Sequence, residues 1–257
     1  MKKLMYVLIL ATYFSTQILA SGGIKWITFD EGLSQAKSQN KFLLVDFFTD
    51  WCKWCKVMDE KTYADADVQK TISRNFIMAR VNPEKPGTVH FMGQEYQNSQ
   101  FAQAAGVTGY PSTGIFSPDG NFITLVTGYL DIPKFNSLVK YLKEGHYKKL
   151  AFEDYSLFET LQNKLTNNPN DSGLNFVVGY FYEKILKDNS KAVNYYKKAV
   201  QHNSEFKEAY AALSGVYKSI GKTKSANKMM KLAKRNGFSQ ESEILDKVKE
   251  IVQKVMS

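Results

Sequence analysis

The sequence is poor in the residues that build metal and haem sites. Its 257 residues contain two cysteines and three histidines, His90, His146 and His202. Two cysteines with dispersed histidines do not fit the ligand spacings of zinc sites. Lys56 stands after the second cysteine, where attachment of a c-type haem requires histidine. No glycine-rich phosphate loop follows a predicted strand, and no histidine partner is evident for a hydrolytic cysteine. The sequence therefore predicts no metal and no cofactor.

Long apolar runs are also lacking beyond the N-terminus. There, Lys2 and Lys3 precede an apolar stretch from Leu4 to Phe14, and residues 18–20 (Ile-Leu-Ala) offer a cleavage site. This pattern predicts a secretory signal peptide over residues 1–20, with an uncleaved N-terminal anchor as the alternative. No cysteine follows the stretch, which argues against a lipoprotein anchor. We therefore expect an exported protein that is periplasmic and soluble after removal of the peptide.

Acidic charge does not balance basic charge in the second half of the chain. Residues 21–139 carry 11 basic and 12 acidic side chains, whereas residues 140–257 carry 21 basic and 13 acidic ones. This change coincides with a change of sequence pattern and predicts two modules, over residues 21–147 and 148–257. Nucleic acid is not an expected partner of an exported chain. The basic half indicates attraction to acidic partners or membrane surfaces, or simply solubility.

The two cysteines, Cys52 and Cys55, lie in residues 51–55 (Trp-Cys-Lys-Trp-Cys). A disulfide ring this small removes little unfolded-state entropy, so it would be a poor staple, although a lone structural disulfide remains the alternative. It suits a reversible two-electron couple. The apolar run 41–48 predicts a strand buried on both faces, and helical spacing follows the motif. Cys52 is therefore expected at a helix N-terminus, which favours a thiolate, with added positive charge from Lys53. Cys55, one turn further on, is expected to be the more buried.

Asp46 lies inside this apolar strand, six residues before Cys52. A charge at such a position is costly unless it has a partner or a function. A buried carboxylate near the dithiol would have a raised pKa and could accept the proton of the resolving thiol, Cys55. The alternative is an aspartate at the strand edge that points to water.

The segment from Val45 to Lys56 resembles thioredoxins, which place Asp six residues before the first Cys, Trp directly before it and Lys directly after the second. Gly106 to Ser112 is similar to their cis-proline segment, with Pro111 at the proline position. The resemblance covers about 120 residues and implies an α/β thioredoxin fold, with a central mixed sheet flanked by helices. It also implies that Pro111 packs beside the dithiol and that the Tyr110 backbone binds substrate as an added strand.

Within that family, the chain looks most like exported thioredoxin-like proteins and the C-terminal domain of the transmembrane thiol–disulfide interchange reductase. These share the Asp-Trp-Cys-x-x-Cys-Lys run and an Asp-x-x-Val-Gln stretch like residues 65–69. The likeness implies an exported thiol–disulfide oxidoreductase that reduces protein disulfides and receives electrons from a membrane-bound donor. Trp51, Lys53 and Trp54 would shape the substrate surface. Lys53-Trp54 replaces the Gly-Pro of thioredoxin, so the reduction potential and the direction of electron flow are not carried over.

Two parts of the first module are predicted without reference to the motif. Residues 25–29 alternate like a short strand, with Asp30 as the N-cap of a following helix. Residues 83–98 form a longer connection than in thioredoxin. We expect an ordinary surface loop there, with a flap near the active site as the alternative.

The second module contains an internal repeat. Ala192, Tyr196 and Ala199 recur 34 residues later as Ala226, Met230 and Ala233. The pattern resembles tetratricopeptide repeats over residues 173–206 and 207–240. Residues 160–171 are expected to be the second helix of a degenerate preceding unit, and residues 241–256 an amphipathic helix that caps the open end.

The repeats leave two functions open for the module. It can bind a protein partner and bring it to the dithiol, or it can serve stability or dimerisation. The corresponding alternative for the whole chain is a redox-sensing or scaffold protein whose helical repeats bind partners with little catalytic turnover.

Overall fold

A computed structural model describes residues 23–256 of the chain. The predicted signal peptide, residues 1–20, lies outside this range. Within it, no helix has both the length and the apolar character needed to cross a membrane. The described residues form an α/β first module and an all-helical second module.

The first module has eleven elements in chain order within the described range. They are α1 (Phe29–Gln39), β1 (Phe42–Phe47), α2 (Lys53–Met58), α3 (Ala66–Asn75), β2 (Phe76–Val81), β3 (Thr88–Phe91), β4 (Gln94–Gln97), α4 (Asn98–Ala104), β5 (Ser112–Phe116), β6 (Phe122–Thr127) and α5 (Ile132–Lys143). A π-helical turn, Asp59–Tyr63, continues α2.

Four of these strands form a mixed sheet in the order β2-β1-β5-β6. The neighbours β1 and β2 run parallel, whereas β5 is antiparallel to both β1 and β6. Every residue of β1 after Phe42 is buried, as is every residue of β5. This confirms the prediction of a strand buried on both faces, and it places the end of β1 at the centre of the sheet.

Helices cover both faces of the sheet. Leu44, Met78 and Ile115 point into one core, which α3 and α5 cover with Ile72 and Phe135. The alternate residues of the same strands point to the opposite side, because successive side chains in a strand face opposite ways. There Leu43, Val45 and Ala79 form a second core with Phe29 of α1 and Phe101 of α4.

The N-terminal strand and the N-cap at Asp30 were predicted wrongly. Ile27 forms only an isolated parallel bridge with Ala79, and α1 begins at Phe29. Thr28 is the N-cap, and its hydroxyl accepts a hydrogen bond from the Glu31 amide at 3.3 Å. Helix α1 starts two residues earlier than predicted, and this places Phe29 in its first turn, where it packs in the second core and is 2 % exposed. Asp30 instead accepts a hydrogen bond from the His90 amide.

Residues 83–98 contain a β-hairpin in place of the expected loop or flap. Strands β3 and β4 pair antiparallel around Met92 and Gly93, which have φ values of 52° and 77°. Two successive positive φ angles are typical of the tight turns that join hairpin strands. Val89 is buried, and the Phe91 ring meets the ring of Phe29 edge-on, so the hairpin packs on the α1 side of the sheet.

The second module consists of paired helices. They are α6 (Phe152–Asn167), α7 (Ser172–Tyr180, continued by a π-helical turn over Phe181–Ile185), α8 (Asn189–His202), α9 (Lys207–Ser219), α10 (Thr223–Arg235) and α11 (Ser242–Met256). The two segments predicted to repeat give the antiparallel pairs α7–α8 and α9–α10. Small residues let the paired helices approach closely, since a Cβ on Gly179 would lie 2.8 Å from the Tyr196 ring. The assignment of these pairs as tetratricopeptide repeats stays a prediction.

Helix α6 joins the two modules. Its first turn places Phe152 and Tyr155 in the core of the first module, and its later turns place Leu161 and Leu165 in the core of the second. Residues 160–167 of the predicted degenerate unit therefore belong to one long helix that both modules share. The core of the first module extends past residue 147, the boundary expected from the sequence.

Helix α11 takes a different position from the one expected. Its main packing partners are α7 and α9, the first helices of both pairs, whereas a cap on the open end would pack on α10. Val248 is buried there, and Glu243 pairs with Lys207 at 2.6 Å. The apolar stripe of α11 thus fills the face that α7 and α9 share.

Candidate functional site

The cysteine motif lies at the junction between β1 and α2. Strand β1 ends at Phe47, and Cys52 is the N-cap residue of α2. Cys52 and Cys55 are joined by a disulfide, and the Cys52 sulfur accepts a hydrogen bond from the Cys55 amide at 3.0 Å. The first amides of a helix are unpaired and carry partial positive charge. The same geometry would stabilise a Cys52 thiolate in the reduced protein.

The two cysteines do not differ in burial as expected. Cys52 is 3 % exposed and Cys55 is 4 % exposed. The N-cap position turns the Cys52 sulfur back over the first turn of α2, toward the Cys55 amide, which accounts for its burial. Accessibility alone therefore does not separate an attacking from a resolving cysteine in the disulfide form.

Asp46 is buried near the end of β1. It is 1 % exposed, which rules out the alternative of a strand-edge aspartate pointing to water. Burial raises the pKa of the Asp46 carboxyl from its ordinary value of 3.8 to about 6, and a positive charge from Arg80 only partly opposes this effect. Its Oδ1 atom has no hydrogen-bond partner among the described residues. Asp46 is thus a carboxyl group that can hold or release a proton near neutral pH.

Arg80 is the partner of Asp46, and the sequence analysis missed it. The parallel register of β1 and β2 sets Asp46 opposite Arg80, whose Nε donates to Asp46 Oδ2 at 2.9 Å. Its Nη2 donates to Asp59 in the turn after α2. The guanidinium lies 4.1 Å from the Trp26 ring centroid and 4.7 Å from that of Phe48. Arg80 therefore links a buried and a half-exposed carboxylate while two rings hold its plane.

Trp51 covers the site from one side. Its side chain is 67 % exposed, yet its indole Nε1 donates to both carboxylate oxygens of Glu84 at 3.0 Å. Its ring also meets the Tyr110 ring edge-on, with the centroids 6.0 Å apart. The Tyr110–Pro111 peptide bond is cis, as predicted. Trp51 is thus an exposed ring held in place by Glu84, and it connects the cysteine motif to the cis-proline segment.

Trp54 is a second exposed aromatic side chain in the cysteine motif. It is 57 % exposed and packs against Tyr129, with ring centroids 5.6 Å apart. Tyr129 follows β6 and was not a candidate in the sequence analysis, because nothing in its local sequence connects it to the motif. Lys53, between the cysteines, is exposed.

The loop before Cys52 is held by polar contacts with the segment that follows β2. Asp50 pairs with Lys85 at 2.7 Å and accepts a hydrogen bond from Asn82 at 3.2 Å. Together with the Trp51–Glu84 contact, these bonds tie two consecutive residues of the loop to one short segment. Residues 82–85 are thus the part of the longer connection that reaches the motif, while the hairpin after them packs elsewhere.

The histidines are dispersed in the fold. His90 lies in β3 beside Asp30, His146 stacks on Tyr155, and His202 ends α8. Among residues 23–256, no group of three or more histidine, cysteine, aspartate or glutamate side chains is arranged to hold a metal ion.

Residues 29–143 match the family described as thioredoxin-like domain. The thiol:disulfide interchange protein DsbD of Colwellia psychrerythraea is 30 % identical over 113 residues, which cover 43 % of this chain and 17 % of the relative. DsbD of Photorhabdus laumondii is 29 % identical over 115 residues, covering 43 % and 18 %. The chain thus spans less than a fifth of these relatives.

The chain is also similar to proteins of known structure. The oxidised C-terminal domain of Neisseria meningitidis DsbD is 19 % identical, with a TM-score of 0.34, and the match covers 47 % of this chain and 98 % of that domain. The family match and the two sequence relatives confirm the predicted resemblance for the first module. The helical second module lies outside the matched range of residues 29–143.

Proposed function

We propose that this chain, in which residues 29–143 form a thioredoxin-like domain with a redox-type Cys-x-x-Cys pair, is an exported reductase of protein disulfides. The observation that carries the proposal is the Cys52–Cys55 disulfide at the N-terminus of α2, with the Cys55 amide donating to the Cys52 sulfur. A helix terminus in this position stabilises the thiolate that starts disulfide exchange.

In the reduced protein, the Cys52 thiolate attacks one sulfur of a substrate disulfide. A mixed disulfide forms, and the other substrate sulfur leaves as a thiolate. Cys55 then loses its proton and attacks the Cys52 sulfur, which releases the second substrate sulfur and closes the Cys52–Cys55 disulfide. Two electrons pass from the dithiol to the substrate in this cycle. The oxidised chain must then be reduced again, and we assign that step to a membrane-bound electron donor.

Asp46 serves as the proton acceptor for Cys55 in this mechanism. Its carboxyl has a pKa of about 6, so at neutral pH it is mostly ionised yet basic enough to take a proton. Its Oδ1 is the oxygen left without a hydrogen bond, while Arg80 holds Oδ2. Arg80 is a positioning residue, because it touches Asp46 rather than the thiols.

The aromatic surface binds the substrate polypeptide. Trp51 and Trp54, each directly before a cysteine in the sequence, are exposed, and Tyr110 and Tyr129 pack against their rings. The cis Tyr110–Pro111 segment lies beside Trp51, where its backbone can pair with an extended substrate strand. Lys53 lies between the thiols and adds positive charge to the rim of the site.

The scaffold alternative has less support. A partner-binding groove in the second module would use the face shared by α7 and α9, and α11 already packs on that face. We therefore assign the second module a mainly structural role, since Phe152 and Tyr155 of α6 complete the core of the first module. For this reason the test uses the whole chain, since a cut after residue 147 would remove these two side chains.

The test measures reduction of insulin-type disulfides by the whole chain, with dithiothreitol as the electron source. We expect Cys52→Ser to abolish the catalysed rate. Reduced Cys55→Ser, mixed with substrate after dithiothreitol has been removed, should instead accumulate a mixed disulfide between Cys52 and one substrate chain, detected by mass spectrometry. A Cys52→Ser variant with full activity would contradict the proposal.

The reduction potential of the couple tests the direction of electron flow. A value near −270 mV supports a reductase, whereas a value near −120 mV would make the protein an oxidant of its substrates. The second result would overturn the reductase while leaving disulfide exchange at Cys52 intact.

A further inference from the structure

The second helix pair concentrates the basic charge of the chain. Residues 209–240 contain seven lysine and arginine side chains and no aspartate or glutamate. The formal net charge of the whole chain is +9, so this short segment accounts for most of it. The side chains that α9 and α10 bury are all uncharged, so burial in these helices does not involve the basic residues.

Helix α10 arranges four of these charges in one line. Lys224, Lys228, Lys231 and Arg235 follow the spacing i, i+4, i+7 and i+11. With about 100° of rotation per residue, they fall within a strip about 60° wide on the helix surface. All four side chains are exposed, and Ala226 and Ala233, on the opposite side of the helix, are buried. These four residues are called the α10 strip below.

The α10 strip faces away from the rest of the protein. The ion pairs of the second module involve other basic residues: Lys184, Lys191, Lys207 and Lys247. Across residues 23–256, no salt bridge includes a member of the strip. Helix α11 leaves it uncovered as well, since its main partners are α7 and α9. The charges are therefore open to a ligand from outside.

We propose that the α10 strip binds an anionic membrane surface. Four cations spaced over eleven residues span about 16 Å along a straight helix, and a plane of anionic headgroups can contact all of them at once. Four to eight basic residues on one amphipathic helix are a typical binding element for anionic lipids. The strip includes no large apolar side chain, so the contact is electrostatic and sensitive to salt.

The choice of a lipid surface over an acidic protein follows from the spacing of the strip. Its four exposed cations lie in a line along α10, so an acidic polypeptide would need carboxylates at matching intervals. A fluid headgroup layer supplies charge at every position without such matching. Docking of this kind would hold the chain beside a membrane, whatever the chemistry of its cysteines.

The test measures binding of the full chain to vesicles by cosedimentation. One set contains phosphatidylcholine with about 30 mol % phosphatidylglycerol, and the other contains phosphatidylcholine alone. We expect the anionic set to bind more strongly at about 0.1 M salt and to lose this advantage at about 0.5 M. Binding to neutral vesicles measures any contribution of the N-terminal apolar segment, which is the same in every variant.

Two charge-matched variants locate the effect. The strip variant carries Lys224→Gln, Lys228→Gln, Lys231→Gln and Arg235→Gln. The control variant carries Lys37→Gln, Lys61→Gln, Lys70→Gln and Lys143→Gln, all exposed in the first module. We expect the strip variant to bind anionic vesicles about tenfold more weakly and the control to stay within about twofold of the wild type. Circular dichroism checks that both keep their helical content.

Three results would overturn the proposal. Equal losses in the two variants would assign the effect to net charge rather than to the strip. Unchanged binding in the strip variant would remove the strip from the contact. Binding to polyglutamate that depends on the strip, with no preference for anionic vesicles, would identify an acidic protein as the partner. None of these results bears on disulfide exchange at Cys52, so the proposed function is tested separately.

Discussion

Replacing Asp46 with asparagine should stabilise the oxidised protein near neutral pH. The carboxyl of Asp46 is buried, and burial raises its pKa from 3.8 to about 6 despite the bond from Arg80. Above pH 6 the folded protein therefore holds an ionised group that is poorly solvated. An asparagine side chain at this position would have the same shape without the charge, and its oxygen can still accept from Arg80.

The sign of the pH dependence follows from proton linkage. Between pH 3.8 and about 6 the folded state binds the Asp46 proton more tightly than the unfolded state does. The free energy of unfolding therefore falls as pH rises through this range, and the loss is complete above the folded pKa. A difference of about 2 pKa units corresponds to about 3 kcal/mol. Asp46→Asn removes this loss. Part of the loss has already occurred at pH 4, so the advantage of the variant over the wild type should grow by about 2.4 kcal/mol from pH 4 to pH 7.5.

The assay is denaturant unfolding of the disulfide form, followed by tryptophan fluorescence. The three tryptophans, Trp26, Trp51 and Trp54, all lie in the first module, so fluorescence reports on the module that contains Asp46. With the cysteines joined, their thiols do not titrate between the two pH values. Comparing the variant with the wild type at each pH cancels the titration of all other groups.

A matched control is Asp119→Asn, at an exposed position in the first module, which should leave stability within about 0.5 kcal/mol of the wild type. If the gain in unfolding free energy from Asp46→Asn is the same at both pH values, burial does not raise the pKa of the Asp46 carboxyl. If Asp46→Asn is less stable than the wild type at pH 7.5, the ion pair with Arg80 outweighs desolvation, and the assignment of Asp46 as a proton acceptor loses its basis.

Three further substitutions test packing and capping. Gly179→Ala should destabilise the second module by about 1–3 kcal/mol, because its Cβ would lie 2.8 Å from the Tyr196 ring. Gly215→Ala, with no atom within 4 Å of the new Cβ, should stabilise the second module by about 0.5–1 kcal/mol. Denaturation followed by far-ultraviolet circular dichroism measures the stability of both glycine variants. A shift of the same sign in both variants would contradict the close approach at Gly179. Thr28→Ala should cost the first module about 1 kcal/mol by tryptophan fluorescence, because α1 loses its N-cap, and an unchanged midpoint would return the capping role to Asp30.

Local sequence patterns were enough to predict the structure at the centre of the site. The apolar run around Val45, the cysteines after it and Pro111 each carry a signal within a few residues. They predicted the buried strand, the helix start at the motif and the cis bond, all of which the structure confirms. The aspartate in the strand was predicted to be buried for the same local reason.

The partners of these residues could not be predicted, because they depend on strand register and on packing. Arg80 is 34 residues from Asp46, and only the parallel alignment of β1 and β2 brings them together. A signal was present, since Arg80 is itself a charge inside the apolar strand Phe76–Val81. Glu84 and Tyr129 gave no such signal. They lie in loops, and their contacts with Trp51 and Trp54 depend on the fold of the whole module.

The position of α11 has a consequence for the order in which the chain can fold. The Lys164 amino group of α6 donates to the Val255 carbonyl, a contact that spans 91 residues. Helix α11, the 15 residues of Ser242–Met256, packs on both α7 and α9 and closes the core between them. The helix pairs α7–α8 and α9–α10 can form one by one, because the contacts within each pair are local. The face that α7 and α9 share stays open to solvent until α11 docks, so contacts between helices far apart in the sequence complete the core of the second module.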